Sequence, residues 1–446
     1  MTHKQLKLYG DRTSSLEFML NKTEAKPVEA ETGVTEFIGQ DELSAAFPAM
    51  LTDAAFIDHA LSALDASFQF SAMVVRIDKP VERNEETGHD FELDACMDLA
   101  EVIDAACSSE NGMWGSLENE MFGCFFPGKS AARCLELAGT IRELLAKKRK
   151  ETVSIGVAAY PTVNFGRDRI LENARKALAH AEFFGPDSTV HFDAVSLNIN
   201  GDKLYQGGDI ETAMREFTTA LMLDPSNVNV RNSLGVCYGI LGDHDKAKEE
   251  FETAAWIDPE EVMPVYNIGL INMLEGNREK ALEYFQQADG LIEDVFEVAF
   301  QIGRLYAEMG QPEKGKKFLE KATLLKPESG VAFRYLGECL NAMGMTDEAV
   351  SAYKKSVRQN PNDAESLSAL GHLFEIQGEN PEIAVTFCRQ SVEISPDNGL
   401  FRHRLGRLYL KGDKLDDALI EFKKASSLGF DSTQYIEEIE NRVLGN

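Results

Sequence analysis

The chain is short of basic charge, tryptophan and long apolar runs. Its 45 Lys and Arg face 74 Asp and Glu, for a formal charge of −29. Nucleic acid and anionic lipid repel such a surface at long range, so neither is expected as a partner. About −13 of that charge lies up to Asp193 and −16 beyond it, so neither part hides a basic domain. No apolar stretch approaches the roughly 18–20 residues that cross a bilayer. The opening MTHKQLKLYGDR has no apolar segment before a cleavage site. We therefore expect no membrane span and a cytoplasmic location. The seven cysteines, at 96, 107, 124, 134, 237, 339 and 388, form no Cys-x-x-Cys pair, and their odd number argues against a disulfide framework. The eight histidines lack metal-ligand spacing, and no Ser-His-Asp or phosphate-loop word occurs. No metal, cofactor or hydrolase site is expected.

What is present is a repeat. Gly235, Gly269, Gly303, Gly337 and Gly371 recur every 34 residues, and Gly406 follows after 35, the slip falling in GENPEIA at 378–384. Ala213, Ala247, Ala281, Ala349 and Ala418 keep the same period, with Gly315 in one slot. Pro225, Pro259, Pro327, Pro361 and Pro396 close the units. Small residues let paired helices approach, and each proline stands where a helix must stop. Large residues such as Leu234, Tyr238 and Phe251 fill the remaining core slots.

SLGVCYGILGDHDKAKEEFETAAWIDP (233–259) carries Leu-Gly, Tyr, Gly, Ala, Phe, Ala and Pro in the register of the tetratricopeptide repeat family, which this part of the chain resembles. Seven units begin near 194, 228, 262, 296, 330, 364 and 399 and run to 432, with a capping helix over 433–446. The resemblance implies stacked helical hairpins forming an all-α superhelix whose inner face, lined by the first helices, holds a protein or peptide. Offsets within the units place Tyr266, Phe300, Arg304, Arg334, His372, His403 and Arg407 on that face. The arginines suit an acidic segment or a C-terminal carboxylate, unless neighbours such as Glu338 and Glu365 already pair with them. The family's carboxylate clamp is not reproduced: Asn198 and Asn232 occupy plausible slots, but its lysines are missing.

Before the repeats, over 48–193, short β-rich runs alternate with amphipathic helices: FSAMVVRI, a helix over 91–106, MFGCFF, a helix over 129–148, TVSIGVAAY, a helix over 168–183, and TVHF. This order implies an α/β sandwich, with a helix over 52–66 packed beneath the sheet. Residues 1–47 read as a solvated arm or linker, or as a partly ordered one in which LKLYG (6–10) and SLEFML (15–20) form a small strand or helix that docks elsewhere. VSIGVAAYP (153–161), ENARKALAHAEFFGPDSTVHF (172–192) and NEETGHD (84–90) resemble the GGDEF domain of diguanylate cyclases, which implies a ferredoxin-like, nucleotide-cyclase-type core.

The residues that cyclase chemistry requires are replaced. Arg76 stands at the first metal aspartate, where it would repel Mg²⁺. Glu118-Asn119-Glu120-Met121-Phe122 replaces the signature, Met121 taking the catalytic acid's place. Glu182 replaces a phosphate-binding lysine, and Leu93 an aspartate that helps to read guanine. Asn84, Arg76 and Glu120 are what remains of a nucleotide site, and no catalytic residue is assigned. Arg76 either faces a phosphate or pairs with Glu120 across the hairpin. The expectation is a bacterial signalling adaptor or scaffold. Its repeats bind a protein or peptide, and a degenerate GGDEF-like domain serves docking, regulation or homodimerisation. The alternative is a diverged nucleotide cyclase or a cyclic-di-GMP receptor.

Overall fold

A computed structural model describes residues 40–78, 88–118, 120–378 and 380–444. Most of the expected N-terminal arm, together with Asn84 and Asn119, lies outside the described residues. The chain divides between Pro259 and Glu260 into two compact units.

The first unit opens with α1 (Gln40–Ala46), β1 (Leu51–Thr52), α2 (Asp53–Ala63), β2 (Phe70–Ile77), α3 (Gly88–Ser109), β3 (Met113–Leu117), β4 (Met121–Pro127), α4 (Ala131–Lys148), β5 (Val153–Tyr160), α5 (Ile170–Ala181) and β6 (Thr189–His191). The strands form one sheet in the order β1-β3-β4-β2-β5-β6. Central β2 runs antiparallel to both β4 and β5. Its apolar run is buried on both faces, as strand alternation requires. Met73 and Val75 face a core with Leu99, Ile103, Leu137 and Ile141, while Ala72 and Val74 face another with Phe56, Ala60, Ala174 and Leu178. The expected mixed α/β sheet is therefore present. Gly156 is what allows α5 to lie on it: a Cβ there would stand 2.0 Å from the Ala174 carbonyl oxygen.

Two features depart from expectation. The end of the expected arm, from Gln40 onward, is ordered against the sheet domain. Leu43 of α1 is fully buried, and Phe47 meets Trp114 edge-on with ring centroids 5.2 Å apart. Three or four apolar residues in so short a segment carry little periodic signal, so their docking was not legible. Asp193 marks a change of secondary structure but no break in packing. Here α6 (Ala194–Gln206), α7 (Ile210–Leu223), α8 (Val228–Ile240) and α9 (His244–Ile257) form two hairpins. Leu197, Ala213 and Phe217 share one core with Ala174, Leu178 and the sheet. Lys176 of α5 also donates to Glu216 of α7 at 2.7 Å.

The second unit continues the hairpins with α10 (Val262–Leu274), α11 (Arg278–Leu291), α12 (Phe296–Glu308), α13 (Pro312–Leu325), α14 (Gly330–Ala342), α15 (Thr346–Gln359), α16 (Ala364–Gln377), α17 (Pro381–Ile394), α18 (Gly399–Lys411) and α19 (Leu415–Ser427), closed by α20 (Thr433–Leu444). In four of these hairpins the repeating glycine meets a large side chain of the second helix, Phe285, Leu319, Tyr353 or Phe422. A Cβ at Gly269 would lie 2.7 Å from the Phe285 ring, and one at Gly406 2.9 Å from that of Phe422. The extra residue at 378–384 moves the partner of Gly371 by one place, to Cys388. A second glycine series, of which the sequence reading gave only the member in 233–259, ends the first helices. Gly208, Gly242, Gly276, Gly310, Gly344 and Gly378 follow each first helix with φ between 69° and 87°, the left-handed conformation that ends helices. In the last hairpin Asp413 takes that place at φ 56°.

Candidate functional site

In the sheet domain the register sets Arg76 opposite Met121 on β4 and Ser154 on β5. Its guanidinium donates to Glu182 Oε1 at 2.6 Å. Glu182, which the end of α5 brings to β2, is thus a partner of Arg76 that sequence distance does not suggest. Asp78, two residues on, accepts from the Thr152 and Ser154 hydroxyls at 2.7 and 2.6 Å and from the Asp187 amide at 2.7 Å. That carboxylate holds the turn before β6.

A serine, a histidine and an aspartate also meet here, but without a relay. Ser196 Oγ lies 3.1 Å and Asp193 Oδ1 3.5 Å from the same nitrogen of His180, Nδ1. Ser196 is wholly buried. Asp193 and Ser196 bond each other's backbone amides, so the cluster caps α6 and offers no nucleophile.

In the second unit the first helices of neighbouring hairpins pack side by side, α12 against α14 and α16 against α18. Equivalent offsets therefore fall on one surface. Phe300 is half-buried, stacked on Phe296 and edge-on to Tyr335, with 5.8 Å between centroids in both pairs. Arg334 lies over the Tyr335 ring at 4.9 Å. His372 and Arg407 are half-buried on the same surface. Two expected members are corrected. Tyr266 is 1% exposed, packed on Phe285 with centroids 5.2 Å apart, and burial pushes its phenol up. His403 is enclosed by Phe422, Phe430 and Tyr435 and bonds Ser432 Oγ through Nδ1 at 2.9 Å. Burial lowers its pKa to about 4, with Arg407 adding to the effect. Both rings fill gaps between helices, a role that an offset count cannot separate from lining a surface.

Charges on this surface are unevenly matched. Arg304 lies 3.5 Å from Glu308, and Arg334 lies 3.9 Å from both Asp363 and Glu365. Burial raises the pKa of Glu338 against the pull of Arg334, and Asp363, Glu365 and Glu308 raise it further. Further along, Glu375 Oε1 forms ion pairs with Arg407 at 2.9 Å and Lys411 at 3.0 Å, and His372 Nδ1 lies 3.4 Å from Oε2. Burial alone would raise the Glu375 carboxyl. The hydrogen bonds from His372 and Lys411 and the charges of Arg407 and Lys411 outweigh it and hold the pKa at about 2. Arg404 donates to Ser368 Oγ at 2.9 Å.

Glu375, Arg404 and Lys411 were missed by the sequence reading. Glu375 and Lys411 sit three and four residues after His372 and Arg407, the helical spacing that shares a face. Extending the offset count by one turn would have found them.

The family models of the tetratricopeptide repeat match residues 228–261, 265–294, 296–329 and 332–363. Residues 228–363 carry tetratricopeptide repeats. Comparison with curated proteins finds no match. Among solved structures, the chain is similar at 23% identity and TM-score 0.41 to the Cut9–Hcn1 hetero-tetramer of APC/C, over 48% of this chain and 43% of that one. It is similar to Pseudomonas aeruginosa PilF at 19% identity and TM-score 0.44, over 47% and 95% of the two chains. YrrB, described as a tetratricopeptide protein with an unusual peptide-binding site, matches at 20% identity and TM-score 0.39, over 42% and 96%. No helix among the described residues is long and apolar enough to cross a membrane.

Proposed function

We propose that the protein is an interaction adaptor whose second unit binds a protein or peptide along the surface formed by the first helices of its repeats. The observation that carries this reading is the row of half-buried Phe300, Arg334, His372 and Arg407 on successive first helices, in which Phe300 packs partly on the core and three polar side chains keep exposed surface. Side chains that combine an apolar body with a charged or polar tip suit an extended segment carrying both apolar and acidic groups. The α/β domain is read as a GGDEF-like domain without activity, serving to dock, pair or regulate in bacterial signalling. The βαββαβ order with β2 between β4 and β5 supports that resemblance, and Arg76 paired to Glu182 speaks against a metal or phosphate between them.

The full chain and a variant with Phe300→Glu, Arg334→Glu and Arg407→Glu are compared as baits in cell extract. Loss of a saturable partner from the variant is expected, and retention of every partner overturns the surface assignment. For the α/β domain, titration with GTP plus Mg²⁺ and with cyclic di-GMP should give neither product nor binding. Product formation overturns the inactive reading, and binding without turnover replaces it with a receptor.

A further inference from the structure

We infer that the acidic group of the ligand seats beside Arg407 and Lys411, at the last two repeats, and not at Arg304 and Arg334. This rests on the binding surface proposed above and names the subsite within it. Arg278, Arg304 and Arg334 lie among Glu308, Glu338, Asp363 and Glu365. Three cations among four acids leave no unmatched positive charge for an incoming carboxylate.

The other end of the row has the opposite balance. Arg407 and Lys411 share the carboxylate of Glu375, and the Arg404 guanidinium feels the charges of both Glu375 and Arg407. Arg404 answers to the hydroxyl of Ser368, not to a carboxylate of its own. Burial lowers the pKa of that guanidinium, and the neighbouring Arg407 lowers it further. Half-buried positive charge without an equal counter-charge is costly, and a bound anion relieves it. Access is graded in the right direction. The Glu375 side chain is 0% exposed, whereas Arg407 is 29% and Lys411 60% exposed. The internal carboxylate thus anchors the two cations from below and leaves their outer faces open.

Such an excess of positive charge stands out in a chain of net charge −29. The local excess of positive charge is what draws an acidic segment, and the Phe300 and Tyr335 rings can add apolar contacts to a ligand that carries them. The occupant is therefore an acidic side chain or terminal carboxylate of a peptide.

The test uses the full-length protein and a fluorescein-labelled hexaglutamate peptide, followed by fluorescence anisotropy at low ionic strength, with hexaglutamine as control. Hexaglutamate should bind and hexaglutamine should not. Arg407→Gln with Lys411→Gln should weaken binding about tenfold or more, while Arg304→Gln with Arg334→Gln should change it less than about twofold. Glu375→Gln removes the competing internal charge and should tighten binding several-fold. The inference is overturned if hexaglutamate does not bind, if both double variants lose it equally, or if Glu375→Gln weakens it as the Arg407 and Lys411 changes do, which would mark the cluster as structural. Displacement by inorganic phosphate at the peptide's own concentration would also overturn it, in favour of a free-anion site. Arg407→Lys, which keeps the charge, should retain binding. A partner lost on Phe300→Glu but kept on the Arg407 and Lys411 double variant would sink the subsite and leave the adaptor reading standing.

Discussion

Arg407 and Glu375 meet at 2.9 Å, joining the first helices of the last two repeats through a carboxylate that solvent does not reach. The pKa of Glu375, about 2 in the folded state, lies below its ordinary value of 4.5. A depressed carboxyl stabilises the fold above its unfolded pKa and loses that contribution as the pH falls through the folded one. We expect the stability difference between wild type and Glu375→Gln, about 3 kcal/mol at most, to be constant above about pH 5 and to vanish towards pH 2. Denaturant unfolding across that range measures it. A difference that ignores pH would remove the ion cluster as its source.

His403 titrates in a different window. Burial among aromatic rings keeps it neutral down to about pH 4, against its ordinary 6.5. The unfolded chain then takes up a proton that the folded chain refuses, so stability falls as the pH drops from 6.5 to 4. We expect the protection factors of amides in α18 and α20, which correct for the intrinsic pH dependence of exchange, to fall over that interval. His403→Gln should abolish that fall.

Two glycine substitutions should separate a rigid neighbour from a yielding one. At Gly156 an added methyl meets the Ala174 backbone oxygen at 2.0 Å, whereas at Gly269 it meets the Phe285 ring at 2.7 Å. A ring can tilt; a helix backbone cannot without shifting α5. Gly269→Ala should cost about 1–3 kcal/mol, and Gly156→Ala more than about 3 kcal/mol. Thermal unfolding of the two variants decides the order.

Asp413 holds φ 56° where the preceding repeats have glycine. Replacing it with glycine removes the steric penalty of a side chain in the left-handed region. Asp413→Gly is expected to stabilise the last repeat by up to about 1 kcal/mol, read from its unfolding midpoint.

The Arg76–Glu182 pair, with side chains 33% and 41% exposed, is an ordinary surface ion pair. Arg76→Ala should change stability by less than about 1 kcal/mol. A larger loss would mean that Arg76 holds the domain together in some further way.

Much of this architecture is written locally. A 34-residue period of small and large residues specifies hairpins because each glycine must fit under the side chain of its own second helix, some sixteen residues on, as Gly269 fits under Phe285. Apolar runs such as FSAMVVRI specify buried strands by the same short-range logic. These contacts lie within one turn or one hairpin, so chain distance reports them.

Three relationships depend on residues far apart in the chain, and tertiary structure alone decided them. Arg76 met Glu182, because the end of α5 returns to β2 after a crossover. Leu197 and Phe217 joined the core of the sheet, so the first repeat is packed on the α/β domain instead of being tethered to it. Glu375 gathered Arg407 and Lys411 of the next hairpin around a buried carboxylate. A helix offset fixes which face a residue occupies. Whether that residue is covered, paired or left open is settled by the neighbouring helix, whose approach is set by all the side chains between them.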